Sequence, residues 1–198
     1  MTHRIRSTRV LGWVVCTALG LSVAGAFGQA VAPGADIIRI RKMTPAKEKT
    51  PIYQTSMRTQ RSGRAPDWWR AVVEFETAPD WVDELEFTFY AYLEDQSARN
   101  APVMFRGVVT YVNIPKGRHN ADIFLHPNVI DRMGVIKQMA VVVKHQGMVV
   151  ATESSAQKPN WWEQFPPVNG VLLNRAQTPF ALIDYDAYNV IKPAAVAR

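Results

Sequence analysis

The sequence predicts an all-β fold, an antiparallel β-sandwich of immunoglobulin-like type with an aromatic and proline-rich C-terminal tail packed on it. Three observations point there. Several runs rich in β-branched and aromatic residues alternate apolar and polar side chains with the period of two that half-buried strands require. Turn residues separate these runs at short spacing, and helical periodicity is almost absent, a pattern that favours a sandwich over a barrel. The sole cysteine, Cys16, lies in the N-terminal apolar run, so a processed domain carries none and rests on its core without disulfides.

The N-terminus reads as an export signal. Arg4, Arg6 and Arg9 form a charged start, Val10 to Phe27 an apolar run, and Gly28-Gln29-Ala30 a small-residue exit. The apolar run is long enough for a membrane anchor to be the competing reading. Gly12, Gly20 and Gly25 dilute it, however, and its end lacks the Trp, Tyr, Lys or Arg flank of an anchor. We therefore expect residues 1–30 to be a cleavable signal peptide, with no stable membrane insertion afterwards. Cys16 follows Val15 where a lipoprotein needs a small residue, which argues against lipidation. The implied location is the periplasm, the cell surface or the extracellular space.

Beyond the signal, residues 31–64 read as a basic arm and linker with one or two short strands, IIRIRKM being one and TPAKEKTP the linker. The body spans residues 65–156. Within WWRAVVEFET, Trp69, Ala71, Val73 and Phe75 form an apolar face. Pro79-Asp80 reads as a turn, after which Leu85, Phe87, Phe89, Ala91 and Leu93 repeat the pattern, so these two strands are expected to be antiparallel neighbours. VMFRGVVTYVNI and ADIFLH flank Pro115-Lys116-Gly117 as a second expected hairpin. HPNVIDRMG suits one helical turn or a crossover loop, and Gln146-Gly147 joins two further strands as a two-residue hairpin loop. Residues 157–198 form a tail too apolar to float free, expected to cover a sheet edge or face.

Charge is sorted along the chain. The formal charge of +6 falls to +3 once the three signal arginines are removed. Arg39, Arg41, Lys42, Lys47, Lys49, Arg58, Arg61 and Arg64 stand against only Asp36 and Glu48. The stretch from Ala65 to Asn100 is acidic instead, with Glu74, Glu76, Glu84, Glu86 and Glu94 among its carboxylates. A basic segment followed by an acidic one implies internal pairing, two interaction faces or simply solvated surface. Export makes nucleic acid a poor partner for the basic arm.

No motif for nucleophilic, phosphate or metal chemistry is present. There is no nucleophile elbow, phosphate loop or His-Glu-x-x-His, and His119, His126 and His145 match no zinc spacing. We expect no enzyme, no metal and no cofactor. The candidate binding residues are Trp68, Arg70, Glu74, Trp161 and Trp162, together with Arg58, Arg61 and Arg64 of the arm. An outward Trp68 beside Arg70 and Glu74 could stack on a sugar, whereas cover by Trp161 or Trp162 would make it packing. Trp81 reads as a packing plug. A carboxylate pair for glycoside hydrolysis needs convergence that spacing alone does not supply.

The stretches WWRAVVEFETAPDWVDELEFTFYAYLED, NWWEQF and LLNRAQTPFALIDYDAY resemble a family of uncharacterised small exported proteins of some Gram-negative bacteria, encoded near type IV pilus-like assembly genes. The resemblance implies an immunoglobulin-like periplasmic or surface domain involved in assembly or adhesion, with no catalytic residues to carry over. The functional expectation is a non-enzymatic interaction domain whose partners are envelope or pilus-assembly proteins, with acidic polymers or glycans as further candidates. The alternatives are a glycan-binding module using exposed tryptophans and a carboxylate-dependent glycoside hydrolase.

Overall fold

A computed structural model describes residues 37–51 and 65–193. Its strands in chain order are β1 (Ile38–Lys49), β2 (Asp67–Asp95), β3 (Ala101–Leu125), β4 (Gln138–His145), β5 (Met148–Ser154), β6 (Pro167–Asn169), β7 (Leu172–Leu173) and β8 (Val190–Ile191). One short helix, α1 (Pro127–Met133), crosses from β3 to β4. The fold is an all-β sandwich.

β2 and β3 set its geometry. They pair antiparallel from Trp69↔Leu125 to Asp95↔Ala101, with one irregularity between Thr77 and Trp81. At that point both strands fold over. Beside the fold, Thr77 Oγ1 donates to Pro115 O at 2.7 Å, and Gly117 adopts a φ of 134°, a conformation costly for any residue with a Cβ. The two halves of each strand then face one another. Phe75 and Phe87 meet with ring centroids 5.0 Å apart, and the Asp122 backbone N–H donates to the Tyr111 hydroxyl at 3.1 Å.

This corrects two expected hairpins. Pro79-Asp80 and Pro115-Lys116-Gly117 are bends inside continuous strands, because each half of β2 takes its ladder from the matching half of β3 and not from the other half of itself. The linker reading of TPAKEKTP is corrected as well. Thr44 to Lys49 continue β1, which pairs with β2 from Ile38↔Thr77 to Lys49↔Asp67. Pro45 is tolerated because β1 is an edge strand among the described residues.

The predicted inner faces do form the core. Ala71, Val73, Phe75, Leu85, Phe87, Phe89, Ala91 and Leu93 are all buried in one cluster with Tyr111, Ile123 and Val141. Each fully buried Phe or Leu contributes about 1.5–3 kcal/mol relative to an exposed one. β4 extends the second half of β2, and β5 follows through the Gln146-Gly147 loop, whose φ values of 51° and 80° suit a tight hairpin.

The tail returns along β3. β6 pairs parallel with Met104–Arg106, β8 pairs with Tyr111 and Val112, and β7 pairs with Phe124 and Leu125. Three short segments thus cover the edge that β2 leaves open. Gly107 lies where the layers and the tail crowd together. A Cβ there would stand 2.3 Å from Ile123 Cδ1 and 2.7 Å from Leu172 Cβ. Gly107→Ala should therefore cost about 1–3 kcal/mol through overpacking, read as a lower midpoint in urea unfolding; an unchanged midpoint would show that the layers relax freely.

Candidate functional site

The outer face of the first half-sheet gathers most of the polar chemistry. Since alternate strand residues face outward, β2 presents Arg70, Val72, Glu74 and Glu76 there, opposite Phe124, Asp122, Asn120 and Arg118 of β3. Asp122 is fully buried by the tail. Its Oδ2 accepts from Arg70 Nε at 3.1 Å and from Arg175 Nη2 at 2.8 Å. Arg175, itself buried, also donates from Nη1 to the carbonyls of Phe180 and Ile183, both at 2.9 Å. Its guanidinium lies 3.6 Å from the Tyr188 ring centroid, and the Tyr188 hydroxyl contacts Arg70 Nη2.

This clasp binds the tail to the sheet through charge. Burial works against the Arg70 charge, but the Asp122 carboxylate, Tyr188 and Glu48 outweigh it and hold its pKa above the ordinary value. Burial, reinforced by the nearby Asp122 carboxylate, pushes the Tyr111 phenol well above its usual range. Neither Asp122 nor Arg175 was singled out from sequence. Their only signal was a lone charge inside an apolar run, in ADIFLH and in VLLNRAQ.

The tryptophans fall elsewhere than the glycan reading requires. Trp68 is only 4% exposed, packed edge-on against Phe124, Phe180 and His126, with Nε1 donating to Thr50 Oγ1 at 3.0 Å. The tail does cover it, but through Phe180 and not through Trp161 or Trp162. Those two, 4% and 6% exposed, cover the outer face of the other half-sheet, where Trp162 stacks on Tyr90 and Trp161 meets Tyr92 edge-on. The premise of exposed Trp68, Trp161 and Trp162 is thus corrected. An apolar sheet face needs cover, and large aromatics from the tail supply it. Trp81, expected as a plug, is instead 66% exposed, because the strand bend turns it outward.

Of the remaining candidates, Arg70 belongs to the clasp and Glu74 is exposed beside it on the same face. Arg58, Arg61 and Arg64 lie outside the described residues, as does the signal segment. The acids of β2 are spread along open sheet, where Glu86 faces Lys144 at 3.7 Å and Glu84 pairs with Lys192. Both of these carboxylates are thus engaged by lysines and not by one another. Among the described residues there is no group of three or more His, Cys, Asp or Glu side chains placed to hold a metal, and no helix long and apolar enough to cross a membrane.

Near the bend, the first and third strands bring together a second set of charges. Arg41 Nε donates to Glu76 Oε2 at 2.9 Å, and Arg118 and Arg39 stand close enough to act on the same carboxylate. The Arg41 hydrogen bond, aided by the charges of Arg41, Arg118 and Arg39, holds the Glu76 carboxyl below its usual range. An open groove of about 440 Å³ runs between Arg41, Glu74, Arg118, His119 and Asn120.

Comparison with known proteins places this arrangement in a family. A family model matches residues 29–195, a span that takes in every described residue. The chain belongs to that family. It is also similar to a protein from Akkermansia muciniphila whose crystal structure superposes with a TM-score of 0.71 at 26% sequence identity, covering 80% of this chain and 94% of that one. No curated protein matches the sequence.

The clasp yields two expectations. Asp122→Asn leaves the buried Arg175 guanidinium without a counter-charge and Arg70 with Glu48 alone, and should cost about 3–5 kcal/mol in urea unfolding; a loss below that range would mean the tail is held by packing alone. Tyr111→Phe removes the acceptor of the buried Asp122 N–H and should cost about 1–3 kcal/mol. Because the folded phenol has a raised pKa, its contribution is complete below the unfolded value of about 10 and is lost as pH rises above it. The stability gap between wild type and Tyr111→Phe should therefore hold steady up to about pH 10 and narrow beyond it; a gap that widens there reverses the sign.

Proposed function

We propose that this chain is an exported, non-enzymatic interaction domain that binds a partner protein by strand addition at the outer edge of β5, as an accessory of type IV pilus-like envelope assembly or adhesion. The observation that carries this reading is the unequal protection of the sheet edges. The β3 edge is covered three times by the tail. β1 carries Pro45 and five lysines and arginines, devices that discourage pairing. β5 carries no proline, lysine or arginine and no described tail segment pairs with it, although β1 of the facing layer packs close by. Among the described residues the outer edge of β5 has no strand partner, and it exposes Met148 at 65% and Val149 at 48%.

Strand addition draws affinity from unpaired backbone groups and selectivity from alternate side chains. Ser155 N donates to Met139 O at 2.9 Å, so the antiparallel alternation directs the backbone groups of Thr152 away from β4. The non-catalytic part of the reading is supported by Glu84 and Glu86 of β2, each of which is engaged by a lysine from another part of the chain. The pilus-like setting is supported by the resemblance noted from sequence.

Thr152→Pro tests the edge, because it removes one outward donor at a position where proline leaves the β4 ladder intact. With wild type and variant immobilised in parallel, an envelope protein retained by wild type and lost by Thr152→Pro, with similar thermal midpoints for the two, is the expected result. Equal recovery on both, or none on either, would sink the proposal. Identification of the retained protein as a pilus-assembly component then tests the setting.

A further inference from the structure

We infer that the outer face at the bend end of the first half-sheet is a binding site for an acidic polysaccharide. The site is built by cross-strand register. Arg39 of β1, Glu76 of β2 and Arg118 of β3 form one row, and Lys42, Glu74 and Asn120 form the next. A bulge between Ile40 and Lys42 adds Arg41 to the first row, where it binds Glu76. Lys116 lies at the fold of β3, lining a second groove of about 550 Å³ that shares Arg41 with the first.

Five exposed cations, Arg39, Arg41, Lys42, Lys116 and Arg118, stand against Glu74 and Glu76 in this patch. Arg41 is committed to Glu76, and Lys116 is 3.9 Å from the fully solvated Asp80. Arg39, Lys42 and Arg118 make no ion pair among the described residues. The face is therefore left with cations directed at an outside anion.

Shape selects among anions. Two open grooves side by side suit an extended chain with repeated charges better than a small ion, and a concave polar surface is a poor match for a flat bilayer. Trp81 favours sugar over an acidic peptide. It is paired with Pro115, next to Lys116, and its exposed indole offers a face for stacking on a pyranose ring. This surface is distinct from the β5 edge and does not depend on it.

The test measures binding of the purified protein to polygalacturonate at low and moderate salt, with neutral dextran, poly-L-glutamate and phosphatidylglycerol vesicles as parallel probes. Arg39→Ser/Arg118→Ser should weaken polygalacturonate binding about tenfold at low salt. Lys137→Ser/Lys158→Ser, an equal charge change at other exposed positions, should leave it unaltered. Trp81→Ala should weaken it as well, and Thr152→Pro should have no effect, which separates this proposal from strand addition. Matching thermal midpoints establish that the variants are folded. The proposal is overturned if wild type does not bind polygalacturonate, if both double variants weaken it equally, or if Trp81→Ala has no effect. Neutral dextran, poly-L-glutamate or vesicles bound as tightly as polygalacturonate would overturn it too.

Discussion

The ladder between β2 and β3 is the constraint on which the rest of the molecule depends. Its two strands run the whole length of the sandwich and fold over together, so both layers are made from the same pair of strands. Backbone groups stay paired up to the bend and beyond it, which spares the core the extra strand ends that two separate hairpins would create. It also ties the layers together covalently. Phe75 meets Phe87, and Tyr111 reaches the Asp122 backbone, because each pair belongs to one strand turned back on itself.

Once that ribbon is folded, each of its long edges needs a neighbour. β1 and β4 divide the β2 edge between them, and the tail covers the β3 edge in three short pieces. Segments of two or three residues hold weakly by backbone bonds alone, so side chains anchor the tail at both ends. Trp161, Trp162 and Phe165 cover the tyrosines of one layer, while Arg175, Phe180 and Tyr188 close over Asp122, Phe124 and Trp68 on the other. The first anchor is apolar and adaptable. The second is ionic and directional, which aligns Arg175, and with it the 3₁₀ turns that follow, to a single carboxylate.

The sorted charge of the chain has a matching spatial logic. The basic strand lies beside the acidic one, and part of the charge cancels in the pairs Arg41–Glu76 and Arg70–Glu48. Cancellation is incomplete at the bend, where β3 adds Lys116 and Arg118. A surplus of one sign thus collects at one end of one face. Exposed pairs of this kind contribute little to stability, so their weight falls on what the surface attracts.

Much of the core was legible because alternation is a local property. The inward set from Leu85 to Leu93, the Gln146-Gly147 hairpin and the all-β class follow from spacing, turn residues and β-branched content. The two bends were misread as hairpins because proline and glycine mark a change of direction without saying which strand supplies the next hydrogen bonds. Thr44–Lys49 read as linker for a similar reason, since proline and lysine are compatible with an edge strand as well as with a loop. Trp68 and Trp81 show the limit for single side chains: one is covered by a phenylalanine more than a hundred residues away, and the other is turned outward by the bend. Thus the sequence by itself determined which residues are apolar enough for the core, the β character of the chain and its charge order, all of which are set by nearest neighbours. Only the tertiary structure decided the folded ribbon, the Asp122 clasp and the convergence of Arg39, Arg41 and Arg118, because strand pairing joins residues whose separation along the chain leaves no local trace.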